Sequence, residues 1–153
     1  ADQDDTVIPA MSSFIGIITD HAKGDMGILL PSPVKKSACK RNCLFLRWMV
    51  RHDEVDPGGW DRIPASKLLI PLDTHMHRAG LFLGFTERKQ GNLATVLEIS
   101  EHFRRLNPLD PVKYDFTLTR FGIREDMEFK KAISVIDSTS DILASLVDET
   151  EKN

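Results

Sequence analysis

The chain has 153 residues, of which 41% are hydrophobic and 28% charged, with a formal net charge of −3. That length and apolar content suit one compact domain with its own core, and a weakly acidic total excludes a protein that grips nucleic acid by bulk charge. No run of about eighteen apolar residues and no charged-then-apolar N-terminus is present, so no membrane span or signal peptide is read and a soluble, cytoplasmic protein is expected.

Apolar residues recur at three- and four-residue spacing almost throughout, and no segment sustains the alternation of a half-buried strand, so the class is all-α. From Thr6 to about Ala22, Val7, Met11, Phe14, Ile15 and Ile18 mark one face of a core helix, with Pro9 tolerated in the first turn. Leu29-Leu30-Pro31-Ser32-Pro33 is a rigid connector. A helix from Ser37 to about Arg51 follows, apolar over most of its circumference. Only a narrow seam of Lys40, Arg47 and Arg51 is basic, joined by Lys36 if the helix starts early, and it should face solvent, a partner or a cleft. Arg41 falls between Trp48 and Phe45 on the apolar side and needs a carboxylate or carbonyl partner. Cys39 and Cys43 share a face four residues apart, which suits core positions and neither a disulfide framework nor a four-cysteine metal site.

His52 to Trp60 is a loop turned by Pro57-Gly58-Gly59, and its acids are placed to pair with the basic seam. Ile63 to Lys67 offers a short helical turn before the apolar run Leu68-Leu69-Ile70. The stretch Pro71-Leu72-Asp73-Thr74-His75-Met76-His77-Arg78 comes next, with Asp73 as the N-cap of a helix that buries Met76, Ala79, Gly80 and Leu83 and stops at Gly84. His75 and His77 diverge on that helix and have no third ligand nearby, so no metal is expected. Asn92 to Leu106 reads as an amphipathic helix with Leu93, Val96, Ile99, Phe103 and Leu106 inside. Asp110-Pro111 opens a last helix that runs to Gly122. Residues 124–153 form a C-terminal helical extension and acidic tail beyond a domain over 1–123.

Basic residues concentrate locally. Lys35, Lys36, Lys40, Arg41, Arg47 and Arg51 stand in a stretch without a single acid, whereas the tail from Arg124 carries eight acids against four bases. Any contact with DNA is therefore local.

Cys39-Lys40-Arg41, Phe45-Leu46-Arg47-Trp48-Met49-Val50-Arg51, Ile70-Pro71-Leu72-Asp73-Thr74-His75 and Asp110-Pro111-Val112-Lys113-Tyr114-Asp115-Phe116 together resemble an uncharacterised bacterial family of conserved hypothetical proteins. More distantly, Leu72-Asp73-Thr74-His75 followed by Arg78 resembles the V-D-T-H-x-x-R segment of the helix-hairpin-helix DNA glycosylases of endonuclease III type. That resemblance implies an orthogonal helical bundle that binds double-stranded DNA. It also implies a catalytic Asp73 that supports a lysine attacking the sugar C1′ once the damaged base is flipped out. Three residues compete for the lysine position. Lys40 and Lys36 each resemble the family's K-T-A segment, and counting back from Met49 selects Arg41. Lys40 is favoured because it lies on the polar seam of an otherwise buried helix. Lys35, Lys36, Arg47 and Arg51 are the expected phosphate contacts. Ser32-Pro33-Val34-Lys35-Lys36 lacks the hairpin glycines of that superfamily, and the cluster cysteines are missing, so neither an iron–sulfur cluster nor another cofactor is expected. The alternatives are a catalytically silent nucleic-acid-binding module and a protein-interaction domain whose basic seam pairs with Asp53, Glu54 and Asp56.

Overall fold

A computed structural model describes residues 4–22, 26–27 and 29–123. The chain order is α1 (Ile8–Ala22), a 3-10 turn (Pro33–Lys35), α2 (Lys40–Val50), a second 3-10 turn (Ala65–Lys67), α3 (Thr74–Phe82), α4 (Leu93–Leu106) and α5 (Asp115–Ile123). Among the described residues the fold is all-α, with a single isolated bridge between His52 and Pro57. No described helix is long and apolar enough to cross a membrane. The expected extension over 124–153 lies outside the described residues.

The core is organised around a segment that is not helical. Leu68, Leu69, Ile70 and Leu72 are buried as the chain runs into α3, and they meet Met76 and Ala79 of α3, Val96, Ile99 and Phe103 of α4, and Met11 and Ile15 of α1. An extended backbone inside a core must find hydrogen-bond partners away from water. Ile70 N–H donates to the Ser100 hydroxyl of α4 at 2.9 Å, and at the segment's start the Lys67 carbonyl accepts from Val7 N–H at 3.1 Å. Helix α3 packs against α5 and also closely against α4, where a Cβ on Gly80 would fall 2.5 Å from Ile99 Cδ1. The glycine sets that approach.

Helix ends depart from the sequence reading in two places. Helix α2 starts at Lys40 rather than Ser37, because Lys36 and Cys39 both take left-handed backbone, with φ of 58° and 49°. Cys39 therefore stands just outside the helix, and its thiol donates to the Pro31 carbonyl at 3.1 Å. Both cysteines are buried and free. Asp110 does not cap a helix: residues 111–114 make turns and α5 begins at Asp115, while the Asp110 carboxylate goes to Arg51. Phe14 and Leu106, expected inside, are exposed.

Ser100→Ala strands the buried Ile70 N–H without an acceptor. It is expected to lower the unfolding free energy by about 1–3 kcal/mol, measured by urea denaturation; a change near zero would mean that the extended segment finds another partner.

Candidate functional site

A cleft of about 730 Å³ opens where the first turn of α2, the cap of α3 and the first turns of α5 converge. Lys40, Trp48, Asp73, Asp115, Phe116 and Arg120 are among its lining residues. Asp73 is set by the backbone: it takes extended φ/ψ as the N-cap of α3, and its Oδ1 accepts from Met76 N–H at 2.8 Å. That leaves Oδ2 for the cleft, where it lies 3.6 Å from Lys40 Nζ, with the Lys40 side chain 49% and the Asp73 side chain 17% exposed. The two residues proposed from sequence as catalytic are brought together. Lys40 reaches water from the first residue of its helix, and at this residue the polar seam faces a cleft, as expected.

Below the cleft lies a buried ion cluster. Arg47, only 3% exposed, gives Nε to Asp56 Oδ2 at 3.0 Å and Nη1 to Asp115 Oδ2. Arg51 gives Nε to Asp110 at 2.9 Å, Nη2 to Asp53 at 2.8 Å and Nη1 to Asp56. The loop folds back through the His52–Pro57 bridge, and this delivers Asp56, which is 0% exposed, onto the helix. The pairing expected between the basic seam and the loop acids is met by Asp53 and Asp56, while Glu54 is exposed. Two hydrogen bonds from the Asp56 and Val55 backbone N–H groups are the leading cause holding the Asp53 carboxyl below the usual range, with Arg51 assisting. Asp115 goes the other way. Burial pushes it up to about 6 against the pull of Arg47, and the neighbouring Asp73 and Asp56 add to the rise.

The arginines of the seam are turned in against carboxylates, and part of the apolar surface of the helix faces outward instead. Arg47 is buried and Arg51 nearly so, while Phe45 at 48% exposure and Trp48 face outward. In this geometry neither arginine presents a free guanidinium to a phosphate. Lys35 and Lys36 are exposed on the first 3-10 turn and its end. Lys36 does not line the cleft; it borders a shallower pocket that shares Lys40 and Arg41. Arg41 is exposed, and it also edges an apolar groove of about 490 Å³ on the α1 side of α2, away from Asp73. His77 hydrogen-bonds the Arg88 carbonyl at 2.7 Å, and among the described residues no group of three His, Cys, Asp or Glu is placed to hold a metal ion. From sequence, Asp115 and Phe116 stand in a resemblance segment without a site role, and Arg120 is not singled out. Asp115 was masked by its neighbours, because a Tyr-Asp-Phe triplet after Asp-Pro looks like ordinary core construction.

Two stability measurements test this arrangement. Arg47→Leu leaves two buried carboxylates with one countercharge fewer and should cost about 3–5 kcal/mol in urea denaturation. Asp115 binds its proton more tightly folded, at about 6, than at the ordinary 3.8, so its contribution is full below the lower value and is lost as pH rises through the upper one. The stability gap between wild type and Asp115→Asn should therefore move in the variant's favour by on the order of 3 kcal/mol between about pH 4 and 7.5. A gap independent of pH would show that Asp115 titrates as it does in the unfolded chain.

No curated protein and no solved structure matches the chain. Residues 1–124 match the family described as "Protein of unknown function (DUF2400)". That match spans most of the sequence, and the chain belongs to this family.

Proposed function

We propose that this chain is a DNA base-excision protein with a bundle of the helix-hairpin-helix glycosylase kind, in which Lys40 is the nucleophile and Asp73 its acidic partner. The observation that carries the reading is the meeting of Lys40 Nζ and Asp73 Oδ2 at 3.6 Å on the wall of the one cleft that also holds Asp115. The matched family has no assigned chemistry, so the reading rests on this site and on the Leu-Asp-Thr-His resemblance. Lys40, paired with Asp73 at rest, gives one proton to water, and its amine then attacks C1′ of an extruded nucleotide. Asp73, at the positive end of α3, offsets the charge that develops and receives a proton. Lys35, Lys36 and the exposed Arg120 supply the phosphate contacts, while Arg47 and Arg51 act as positioning residues that hold α5 against α2.

A second reading has its own observation. Arg47 and Arg51 meet carboxylates instead of solvent, and the apolar groove beside α2 leaves Phe14, Phe45 and Trp60 partly open, which favours an interaction domain on the same scaffold.

The deciding experiment incubates the protein with duplex DNA containing an abasic site, adds borohydride and looks for a covalent adduct. Lys40→Gln should abolish the adduct while changing stability by less than about 1 kcal/mol, since the ion pair it removes is half exposed. Asp73→Asn keeps a competent cap and should slow trapping, whereas Asp73→Ala should also cost about 0.5–2 kcal/mol. An adduct lost only in Lys36→Gln would move the nucleophile. Salt-sensitive DNA binding that survives Lys40→Gln and Asp73→Asn without strand chemistry would leave a silent binding module. No adduct and no retardation at low salt would leave the interaction domain.

A further inference from the structure

The base-excision reading leaves one group of the cleft without a task. Asp115 opens α5 and is only 4% exposed, yet it belongs to the cleft lining. Its Oδ2 takes the Arg47 guanidinium, and its Oδ1, also buried, has no hydrogen-bond partner among the described residues. An anionic oxygen in that position is costly. A proton on Oδ1 removes the charge from that oxygen and so lowers the cost, and Arg47 on the other oxygen decides which of the two carries it.

We propose that Asp115 is the general acid of the cleft and gives its Oδ1 proton to the departing base; the assignment rests on the base-excision reading above. When the C1′–N bond breaks, its electron pair stays on the base nitrogen. The Asp115 proton neutralises the base at that nitrogen or at a ring atom conjugated with it, and the carboxylate left behind is held by Arg47. The free amine of Lys40 forms the new bond to C1′ and passes its surplus proton to Asp73. The groups facing Asp115 fit this role. Burial, with smaller help from Asp73 and Asp56, raises the carboxyl to about 6 against the pull of Arg47, and no other cation is paired with it among the described residues. The nearby Cys43 thiol is pushed up to about 12, chiefly by burial, and stays neutral. Trp48, partly open, borders the same space and offers a flat face to a ring system, while the Phe116 ring is taken by Arg47 and Arg120 at 5.9 and 5.2 Å.

The test separates base loss from attack on C1′. Single-turnover base release is measured on duplexes carrying an oxidised pyrimidine or an oxidised purine, and borohydride trapping on a duplex with a pre-formed abasic site, from which no base departs. Lys40 serves both reactions and cancels in their ratio. For the wild type, release relative to trapping should fall about tenfold per pH unit above about pH 6. In Asp115→Asn, release should slow by about 10²-fold or more while trapping stays within a few-fold. A pH-independent ratio, equal slowing of both reactions in the variant, or trapping without release of either base overturns the assignment. Wild-type protein that traps no abasic DNA overturns the base-excision reading instead. If Asp115→Asn does not fold, the wild-type ratio decides.

Discussion

Everything near the cleft depends on the burial of two arginines on one helix. Arg47 and Arg51 are satisfied by acids from three separate places: Asp53 and Asp56 in the loop after α2, Asp110 in the turns before α5, and Asp115 at its start. Bringing such charges out of water carries a penalty of several kcal/mol per ion that only close, multiple pairing offsets. The helix therefore cannot rotate or slide without leaving a carboxylate or guanidinium uncompensated. The cluster adds little net stability in this view and mainly fixes one arrangement of α2, the loop and α5.

That fixed arrangement is what sets the cleft. Three carboxyl groups stand near one another in different states. Asp73 is tied to its own helix end and to Lys40, Asp56 gives one oxygen to both guanidiniums, Asp115 gives one oxygen to Arg47 alone, and the second oxygen of Asp56 and of Asp115 is buried without a partner. Of the three, Asp115 is the one whose burial raises its affinity for a proton.

Much of the fold was legible because its signals are local. Asp73 caps the helix it was expected to cap, its Oδ1 accepting from Met76 N–H at 2.8 Å, and the helix expected from Asn92 is capped by Asn92, whose Oδ1 accepts from Thr95 N–H at 3.2 Å. Gly84 takes the left-handed turn after α3, and the buried stripe of α4 follows its spacing except at its last residue. The orientation of α2 was not legible. A helix with apolar residues nearly all round has no unique inward face, and its few arginines were decided by acids at Asp110 and Asp115, far along the chain, whose partners no spacing rule reveals. The left-handed Cys39 was hidden for a related reason: nothing in Ser37-Ala38-Cys39 demands positive φ, which here is held by the Pro31 carbonyl accepting from both the Cys39 thiol and the Asn42 amide. The meeting of Lys40 with Asp73 followed from the motif each stands in, whereas the segment that holds Asp115 gave no sign that it would reach the same cleft.

The buried extended segment ahead of Asp73 has a mechanical meaning. Its side chains fill the core and its backbone is tied to α4, so the carboxylate at its end is a fixed post that moves only if the core comes apart. Lys40, with a long unbranched stem and half its surface in water, is a swinging arm beside that post. Whatever enters the cleft must fit the position of the acid, and the base then comes to meet it.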